Sequence, residues 1–376
     1  MKEDRKLKKK VSLILILIFT LAMTVGCGTM KSTKKEEAKE TPKTRVVVDS
    51  LGRKVTIPYT VKKIIPLANA LRIMAYADCL NLVAGVEEGE KEKSILKAYN
   101  WVNFEQWKEL PIVGKGGSGG YTPFIEEIVL LAPDVIICGY TQKDAEELQN
   151  KTGIPVVIIE PGNLFGEDYN KSLMVIGDVC NVKDKCEKIV SYINEVKKDL
   201  NKRTETISAT EKVTSYSGAM NFKGGHGIEG TYVNFPIFRE LNVNEIIISE
   251  KTEASGVTIE KEKILASDPK TIFLDPGNLK LVKDDFAQNK AYYQSLSAYK
   301  TGDIYSLIGY NFYYTNVEIA LADSYYVGKT LYPEAFKDIN PEKKAAEIFK
   351  LFLGSTTYYQ EIKEAGYGFG KLSIGE

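Results

Sequence analysis

A unit of 17 residues occurs twice in the chain, and this repeat constrains the fold more than any other feature. The copies are Thr122–Cys138 and Thr258–Leu274; in each, the opening Thr is followed by Glu after four residues, Ile after six and Pro after eleven. Each copy is typical of a helix with a threonine N-cap, a proline stop and a following apolar strand. Pro123 fits the first helical position. The repeat predicts two equivalent α/β halves.

One long helix is predicted between the two copies, over residues 181–206. Apolar side chains recur there at steps of three and four residues, which places them on one stripe of a helix. The other positions are mostly charged or asparagine, and neither glycine nor proline interrupts the segment. At about 1.5 Å per residue, the helix has a length of roughly 39 Å. An ordinary surface helix has the same pattern, but the flanking repeat favours a helix that links two halves.

Apolar runs alternate with helical segments over most of the chain, and this alternation predicts parallel sheets with ligands at the carboxyl ends of the strands. Residues 46–58 predict a hairpin, and residues 87–121 an irregular region. The predicted strands are 63–67, 82–86, 134–138, 155–159, 213–216, 246–249, 271–274 and 303–306. The predicted helices are 69–77, 122–132, 143–151, near 231–241, 258–266, 316–330 and 341–353.

The first 27 residues are predicted to be a lipoprotein signal peptide. Residues 1–10 carry six basic and two acidic side chains, and residues 11–25 carry no charge. This pattern is typical of a secretory signal, and the apolar run is shorter than the roughly 20 residues of a spanning helix. A plain cleaved signal and an uncleaved anchor are the alternatives. Cys27 after Gly26 resembles a bacterial lipobox, in which the cysteine is lipidated, although Thr24 stands where leucine is usual.

Composition argues against several classes of protein. Residues 28–44 are polar and lack aromatic side chains, so they predict a flexible tether. Without residues 1–27 the chain carries 44 basic and 48 acidic side chains, and this balance predicts no nucleic-acid partner. Cys180 and Cys186 are close enough in sequence to pair. The cysteine spacing nevertheless matches neither a disulfide framework nor a metal site, so structural roles are predicted.

Six motifs occur in an order that resembles one protein family. They are DSLGRKVTIP (49–58), Glu126–Asp134, GIPVVII (153–159), IGDVCNVKDKCEKIVSYI (176–193), GVTIEKEKILASDPKTIF (256–273) and LSAYKTGDIY (296–305). From Arg45 onward the chain resembles the solute-binding lipoproteins of ATP-driven importers for iron–siderophore complexes, haem and cobalamin, although Tyr293 stands where tryptophan is common. The resemblance implies a class III periplasmic-binding-protein fold. In this fold two α/β lobes, 45–180 and 207–376, are joined by one rigid helix, and ligand binds between them.

The resemblance also implies partners and a location. We expect a monomer, lipid-anchored on the extracytoplasmic face of the cell membrane, that meets the permease subunits of an ABC importer and their ATPase. In this family a glutamate of each lobe meets arginines on the permease, and Glu126 and Glu262 match that position. Stabilisation of an acid in the first turn of a helix, by about 0.3–1 kcal/mol, would also explain these glutamates.

The chemistry-bearing residues predict binding without catalysis. His226 is the only histidine, and one histidine cannot build the multi-histidine site of an importer for bare zinc or manganese. No nucleophile motif accompanies it. We therefore expect no enzyme activity, no cofactor and no protein-bound metal. GKGGSGG (114–120) lacks the order of a phosphate loop, and it predicts a flexible loop at the cleft rim, with anion binding as the alternative.

Ligand contacts are expected from residues that follow the strands. Aromatic walls with a few polar groups suit a large, partly apolar, cyclic ligand, and basic side chains would attract an anionic complex. The predicted ligand-binding residues are Asn69, Arg72, Lys115, Tyr140, Phe222, Lys223, His226, Tyr313 and Tyr314. The expected function is capture of a metal chelate (a ferric siderophore, a haem or a corrinoid) for an importer. The alternative is a surface lipoprotein that uses the same fold for sensing or adhesion.

Overall fold

The structure is a computed structural model that describes residues 42–117, 120–247 and 254–375. Residues 43–376 form one compact unit. The predicted signal peptide, most of the predicted tether and Cys27 lie outside the described residues. The domain boundaries proposed from the sequence therefore stay predictions.

The described chain begins with the predicted hairpin. β1 (Thr44–Val48) pairs antiparallel with β2 (Lys54–Pro58). Asp49 organises the turn, since its carboxylate accepts the N–H groups of Leu51 and Arg53 and pairs with the Arg53 guanidinium at 2.8 Å. Local hydrogen bonds of an aspartate to backbone two or more residues ahead are a common way to close a turn. The hairpin prediction is confirmed.

Two three-stranded sheets follow in the N-terminal lobe, the part of the chain before the long helix. Their strands are β3 (Ile64–Leu67), β4 (Val86–Glu87), β5 (Ile112–Lys115), β6 (Thr122–Pro123), β7 (Val135–Cys138) and β8 (Val156–Ile158). β3, β7 and β8 form a parallel sheet in that order and are fully buried, as expected for parallel strands covered on both faces. β5 pairs parallel with β4 and antiparallel with β6. The predicted strand 82–86 is mostly wrong. Leu80–Leu82 forms a 3-10 turn, and β4 begins only at Val86.

A five-stranded sheet forms the centre of the C-terminal lobe, the part of the chain after the long helix. The described part of this lobe has seven strands, five of them in this sheet: β9 (Thr214–Gly218), β10 (Gly230–Val233), β11 (Asn244–Glu245), β12 (Ser255–Thr258), β13 (Thr271–Leu274), β14 (Ile304–Ser306) and β15 (Gly370–Lys371). The order is β11–β9–β13–β14–β15, with every pair parallel except β14–β15. β10 and β12 form a separate antiparallel pair. That pairing places residues 231–233 of the helix predicted near 231–241 in a strand, and the observed helix is confined to Pro236–Glu240.

Helices flank the sheets in both lobes. They are α1 (Ala70–Tyr76), α2 (Ala98–Asn103), α3 (Ile125–Leu131), α4 (Gln142–Thr152), α5 (Glu167–Cys180), α6 (Lys183–Thr204), α7 (Pro236–Glu240), α8 (Lys261–Ser267), α9 (Leu279–Gln288), α10 (Lys290–Ser295), α11 (Ser297–Thr301), α12 (Val317–Leu331), α13 (Pro341–Leu353) and α14 (Tyr358–Glu364). α6 is the predicted long helix, and its buried stripe includes Ile189, Ile193 and Leu200. Its stripe belongs to an apolar core that contains side chains of both lobes. The fold is the predicted one, two α/β lobes with mainly parallel sheets joined by one long helix.

The sequence repeat corresponds to a structural repeat. α3 and α8 each have seven residues, a glutamate at the second position and a buried isoleucine at the fourth, and both end in a left-handed residue before the proline. The predicted threonine N-caps are wrong. Thr122 and Thr258 lie in β6 and β12, and the N-cap positions are Phe124 and Glu260. Because the backbone of each threonine is paired in a strand, each helix begins three residues after its threonine, at Ile125 and at Lys261.

Candidate ligand-binding cleft

A cleft of about 580 Å³ lies between loops of the two lobes. The N-terminal lobe contributes residues after β4 and β5, and the C-terminal lobe contributes the loops after β9, β13 and β14. Because carboxyl ends of parallel strands meet at one edge of a sheet, this is the expected place for a ligand in an α/β protein. The lining includes four aromatic residues (Phe222, Phe312, Tyr313, Tyr314), three asparagines (Asn221, Asn278, Asn311) and three charged residues (Glu92, Lys97, Lys223).

Four of the predicted ligand-binding residues line this cleft, namely Phe222, Lys223, Tyr313 and Tyr314. His226 lies behind them. Its ring stacks on Phe222 at a centroid distance of 3.9 Å, and its Nε2 lies 2.9 Å from the Phe222 carbonyl oxygen. His226 therefore supports the aromatic wall that Phe222 presents to the cleft.

Arg72 lies in the interior, with 2% of its surface exposed. Its guanidinium donates to the side-chain oxygens of Asn69 at 2.7 Å and Asn316 at 3.1 Å, and to the carbonyl of Tyr313. The same group lies over the ring of Tyr99 at 4.6 Å. Arg72 and Asn69 thus hold the cleft loop of the C-terminal lobe from beneath.

Two other predicted residues lie away from this cleft lining. Tyr140 stacks on Tyr121 at 4.1 Å, and both line a separate cavity of about 380 Å³ in the N-terminal lobe. Burial raises the pKa of Tyr140, and its hydroxyl has no hydrogen-bond partner among the described residues. Lys115 is exposed and forms an ion pair with Glu88 at 3.5 Å. Tyr140 therefore belongs to a smaller cavity that is separate from the cleft, and Lys115 to an exposed ion pair.

Several lining residues were not predicted from the sequence. Lys97 comes from the region predicted to be irregular. Its ammonium donates to the Gly89 carbonyl at 2.6 Å and lies 5.1 Å from the centre of the Tyr313 ring. Burial, partly offset by Glu90, lowers its pKa. Asparagines in the loops after predicted strands were an available signal for Asn221 and Asn278, whereas no local pattern pointed to Lys97.

Glu87, at the end of β4, is a further charged group beside the cleft. Only 2% of its surface is exposed. Its Oε2 accepts the N–H of Ala68 at 3.0 Å and the hydroxyl of Tyr313 at 3.3 Å, while Oε1 has no partner among the described residues. Burial raises the pKa of Glu87 to about 7, and its hydrogen bond with the Ala68 N–H opposes that rise. This carboxyl therefore gains or loses its proton close to neutral pH.

The two glutamates of the repeat are exposed at equivalent helix positions. Glu126 and Glu262 are the second residues of α3 and α8. Within the described parts of the chain neither carboxylate forms an ion pair. Both side chains are therefore accessible to a partner.

Over 42–117, 120–247 and 254–375, no group of three or more His, Cys, Asp or Glu residues is placed to hold a metal ion. Cys79, Cys138, Cys180 and Cys186 are free thiols. No helix in these same ranges is both long and apolar enough to span a bilayer.

The fold agrees with what the chain is similar to. A family model described as "Periplasmic binding protein" matches residues 82–309, and the chain belongs to this extracytoplasmic family of solute-binding proteins. It is 27% identical over 214 residues to the uncharacterized ABC transporter substrate-binding lipoprotein YvrC of Bacillus subtilis, a match that covers 55% of this chain and 62% of YvrC. This match spans less than two thirds of YvrC.

A relative of known specificity covers more of the chain. The molybdate-binding protein MolA of Haemophilus influenzae is 22% identical over 331 residues, or 82% of this chain and 90% of MolA. The structure of MolA bound to molybdate superimposes with a TM-score of 0.65 over 83% of this chain and 98% of that one, at 20% identity. The TroA-like periplasmic binding protein FepB of Veillonella parvula gives 0.61 over 82% and 96%, at 21% identity. These structures confirm the predicted fold.

Proposed function

We propose that this protein captures a metal chelate in the cleft and delivers it to an ABC importer. The observation that carries the proposal is the cleft of about 580 Å³ with aromatic walls, at the strand ends where the two lobes face each other. Large, largely apolar pockets with a few polar groups suit ligands of drug size. A ferric siderophore, a haem or a corrinoid combines apolar surface with polar groups, as the lining does. The similarity to an ABC transporter substrate-binding lipoprotein supports delivery to an importer over sensing or adhesion.

An oxyanion is the second candidate ligand, because MolA, a molybdate-binding protein, matches most of the chain. Lys223 and the backbone of Gly224 and Gly225 could face an anion in the cleft. A molybdate ion would, however, fill only a small part of about 580 Å³ and would leave the aromatic walls without a partner. The chelate therefore accounts for more of the lining than the oxyanion does.

Native mass spectrometry of residues 43–376, purified with the ligand that they carry, separates these candidates. Titration of the ligand-free protein with a ferric siderophore, haemin, cobalamin and molybdate then gives relative affinities by tryptophan fluorescence. Phe222→Ala should weaken chelate binding at least ten-fold, since it removes an aromatic wall. Tyr121→Ala, in the separate cavity, is the matched control. Equal loss from both variants, or binding of molybdate alone, would overturn the chelate proposal.

Delivery is proposed to use Glu126 and Glu262 as two docking points. The two carboxylates are exposed, occupy the same position in twin helices and are held by lobes that share one core. Single exposed ion pairs contribute little, about 0–1 kcal/mol, so the loss of one should matter modestly and the loss of both much more. Lipidation at Cys27 is proposed to keep the protein beside its importer.

Transport assays test the docking proposal. Glu126→Ala combined with Glu262→Ala should reduce uptake strongly while ligand affinity and thermal stability stay unchanged. The control pair is Glu127→Ala with Glu260→Ala, which removes two neighbouring exposed acids and should leave uptake near normal. Normal uptake by the first double variant, or equal losses in both, would contradict docking at these two positions.

A further inference from the structure

Tyr313 of the C-terminal lobe inserts its ring into a slot of the N-terminal lobe. The slot is defined by Gly89, Gly116, Gly117 and Glu87. A Cβ at Gly89 would stand 2.7 Å from the Tyr313 ring, and one at Gly117 would stand 3.4 Å from it. Real Cβ atoms do not approach to 2.7 Å, so at position 89 only glycine admits the ring without displacement. The slot therefore has the shape of a flat aromatic group.

The floor of the slot is a carboxylate with spare hydrogen-bonding capacity. Glu87 accepts the Tyr313 hydroxyl through Oε2, and its buried Oε1 has no partner among the described residues. A Cβ at Gly116 would lie 2.5 Å from the carboxylate, so the Gly116 backbone covers it closely. A buried acceptor without a donor is costly to maintain. The floor is thus suited to a group that brings an O–H or N–H donor.

The loop that carries Tyr313 is held in an unfavourable conformation. Tyr313 and Tyr314 have φ values of 49° and 69°, and two consecutive non-glycine residues in the left-handed region are rare. The loop is retained by Arg72, which donates to the Tyr313 carbonyl, and by the Gly117 N–H, which donates to the Tyr314 hydroxyl at 3.3 Å. Strained backbone of this kind clusters at active sites, ligand clamps and switch regions.

We infer that this slot is a ligand subsite for a flat ring bearing a hydrogen-bond donor, and that Tyr313 is its internal occupant until a ligand displaces it. The inference rests on the proposed binding function of the cleft and specifies one part of it. A phenol or a comparable hydroxylated or N–H-bearing ring can take the position of the Tyr313 side chain, with its donor on Glu87.

The presence of Tyr313 in the slot weakens the binding of any ligand that needs the slot. A ligand that needs the slot binds only the fraction of molecules in which Tyr313 has left it, so its apparent Kd is raised by the reciprocal of that fraction. Shortening Tyr313 removes this competition. The chemical probe follows from the occupant itself, because 4-methylphenol is the tyrosine side chain as a free molecule, and toluene is the same ring without the donor.

Binding of these two probes to residues 43–376, measured by ligand-observed NMR titration, tests the inference. Tyr313→Ala should bind 4-methylphenol at least ten-fold more tightly than the parent protein does, and at least ten-fold more tightly than it binds toluene. Adding Glu87→Gln should reduce the preference for the phenol. If Tyr313→Ala does not fold, Tyr313→Phe is the alternative variant. It keeps a ring in the slot but lacks the hydroxyl, and we expect it to bind 4-methylphenol more tightly than the parent protein does.

The inference is overturned if Tyr313→Ala binds toluene and 4-methylphenol alike, or if neither variant binds the phenol more tightly than the parent. These measurements use neither importer nor chelate. Failure of phenol binding with normal chelate transport would remove the slot alone. Phenol binding without chelate transport would support the slot and contradict the proposed function.

Discussion

Replacing Glu245 by glutamine should flatten the pH dependence of stability. Glu245 ends the edge strand β11, is 8% exposed, and accepts the Phe235 N–H with both carboxylate oxygens, at 3.1 and 3.3 Å. Burial raises the pKa of Glu245 from 4.5 to about 8, against the opposing effect of that N–H. Since the folded pKa is the higher one, the stabilising contribution of this carboxyl is complete below pH 4.5 and is lost as the pH rises toward 8.

The size of this loss follows from the two pKa values. A carboxyl with a pKa of 4.5 when unfolded and about 8 when folded lowers the free energy of unfolding by ~3.5 kcal/mol between pH 5 and pH 8. Glutamine has nearly the same volume, keeps an acceptor for Phe235 and does not titrate. Burial also raises the pKa of Glu87 and Glu318 to about 7 and of Asp275 to about 6. These groups act in the parent and the variant alike, so they cancel in the difference.

Urea denaturation of residues 43–376 at several pH values between 5 and 8, followed by circular dichroism, measures this difference. The free energies of unfolding of the parent and of Glu245→Gln should converge or cross as the pH rises, with a relative change of ~3.5 kcal/mol in favour of the variant. Glu334→Gln, at an exposed position, is the control and should run parallel to the parent. Parallel curves for Glu245→Gln would refute a raised pKa at this site.

Two further changes test the cleft support and the anchor. Arg72→Leu should lower the free energy of unfolding by about 2 kcal/mol or more, because the buried oxygen of Asn316 and the half-buried oxygens of Asn69 and Tyr313 lose their donor. An unchanged urea midpoint would show that Arg72 is not needed to hold the loop. Cys27→Ser should abolish lipid labelling and either release the protein from the membrane or leave its signal uncut, as cell fractionation and immunoblotting would show. A labelled and membrane-held Cys27→Ser protein would contradict lipidation at this residue.

Local sequence patterns were sufficient for the elements whose stability is local or periodic. The long helix was predicted over 181–206 and is present as Lys183–Thr204, because its apolar stripe and uninterrupted polar surface specify helix without reference to a partner. The twin α3 and α8 helices were predicted from the repeated spacing together with cap and proline-stop signals. Their threonine N-caps were not correct, since pairing of β6 with β5 and of β12 with β10 places both threonines in strands. Strand pairing is set by segments distant in sequence, so a local capping pattern cannot exclude it.

The roles of the cleft residues depended on tertiary structure for the same reason. The sequence pointed to Phe222, Lys223, Tyr313 and Tyr314 because they follow strands, and parallel strands bring such positions to one edge. It could not show that Arg72 is buried beneath the cleft loop. Nor could it show that Tyr313 meets Glu87, 226 residues away in the chain. Periodicity reports which side of an element is apolar, whereas contacts between lobes arise only when both lobes pack against one shared core.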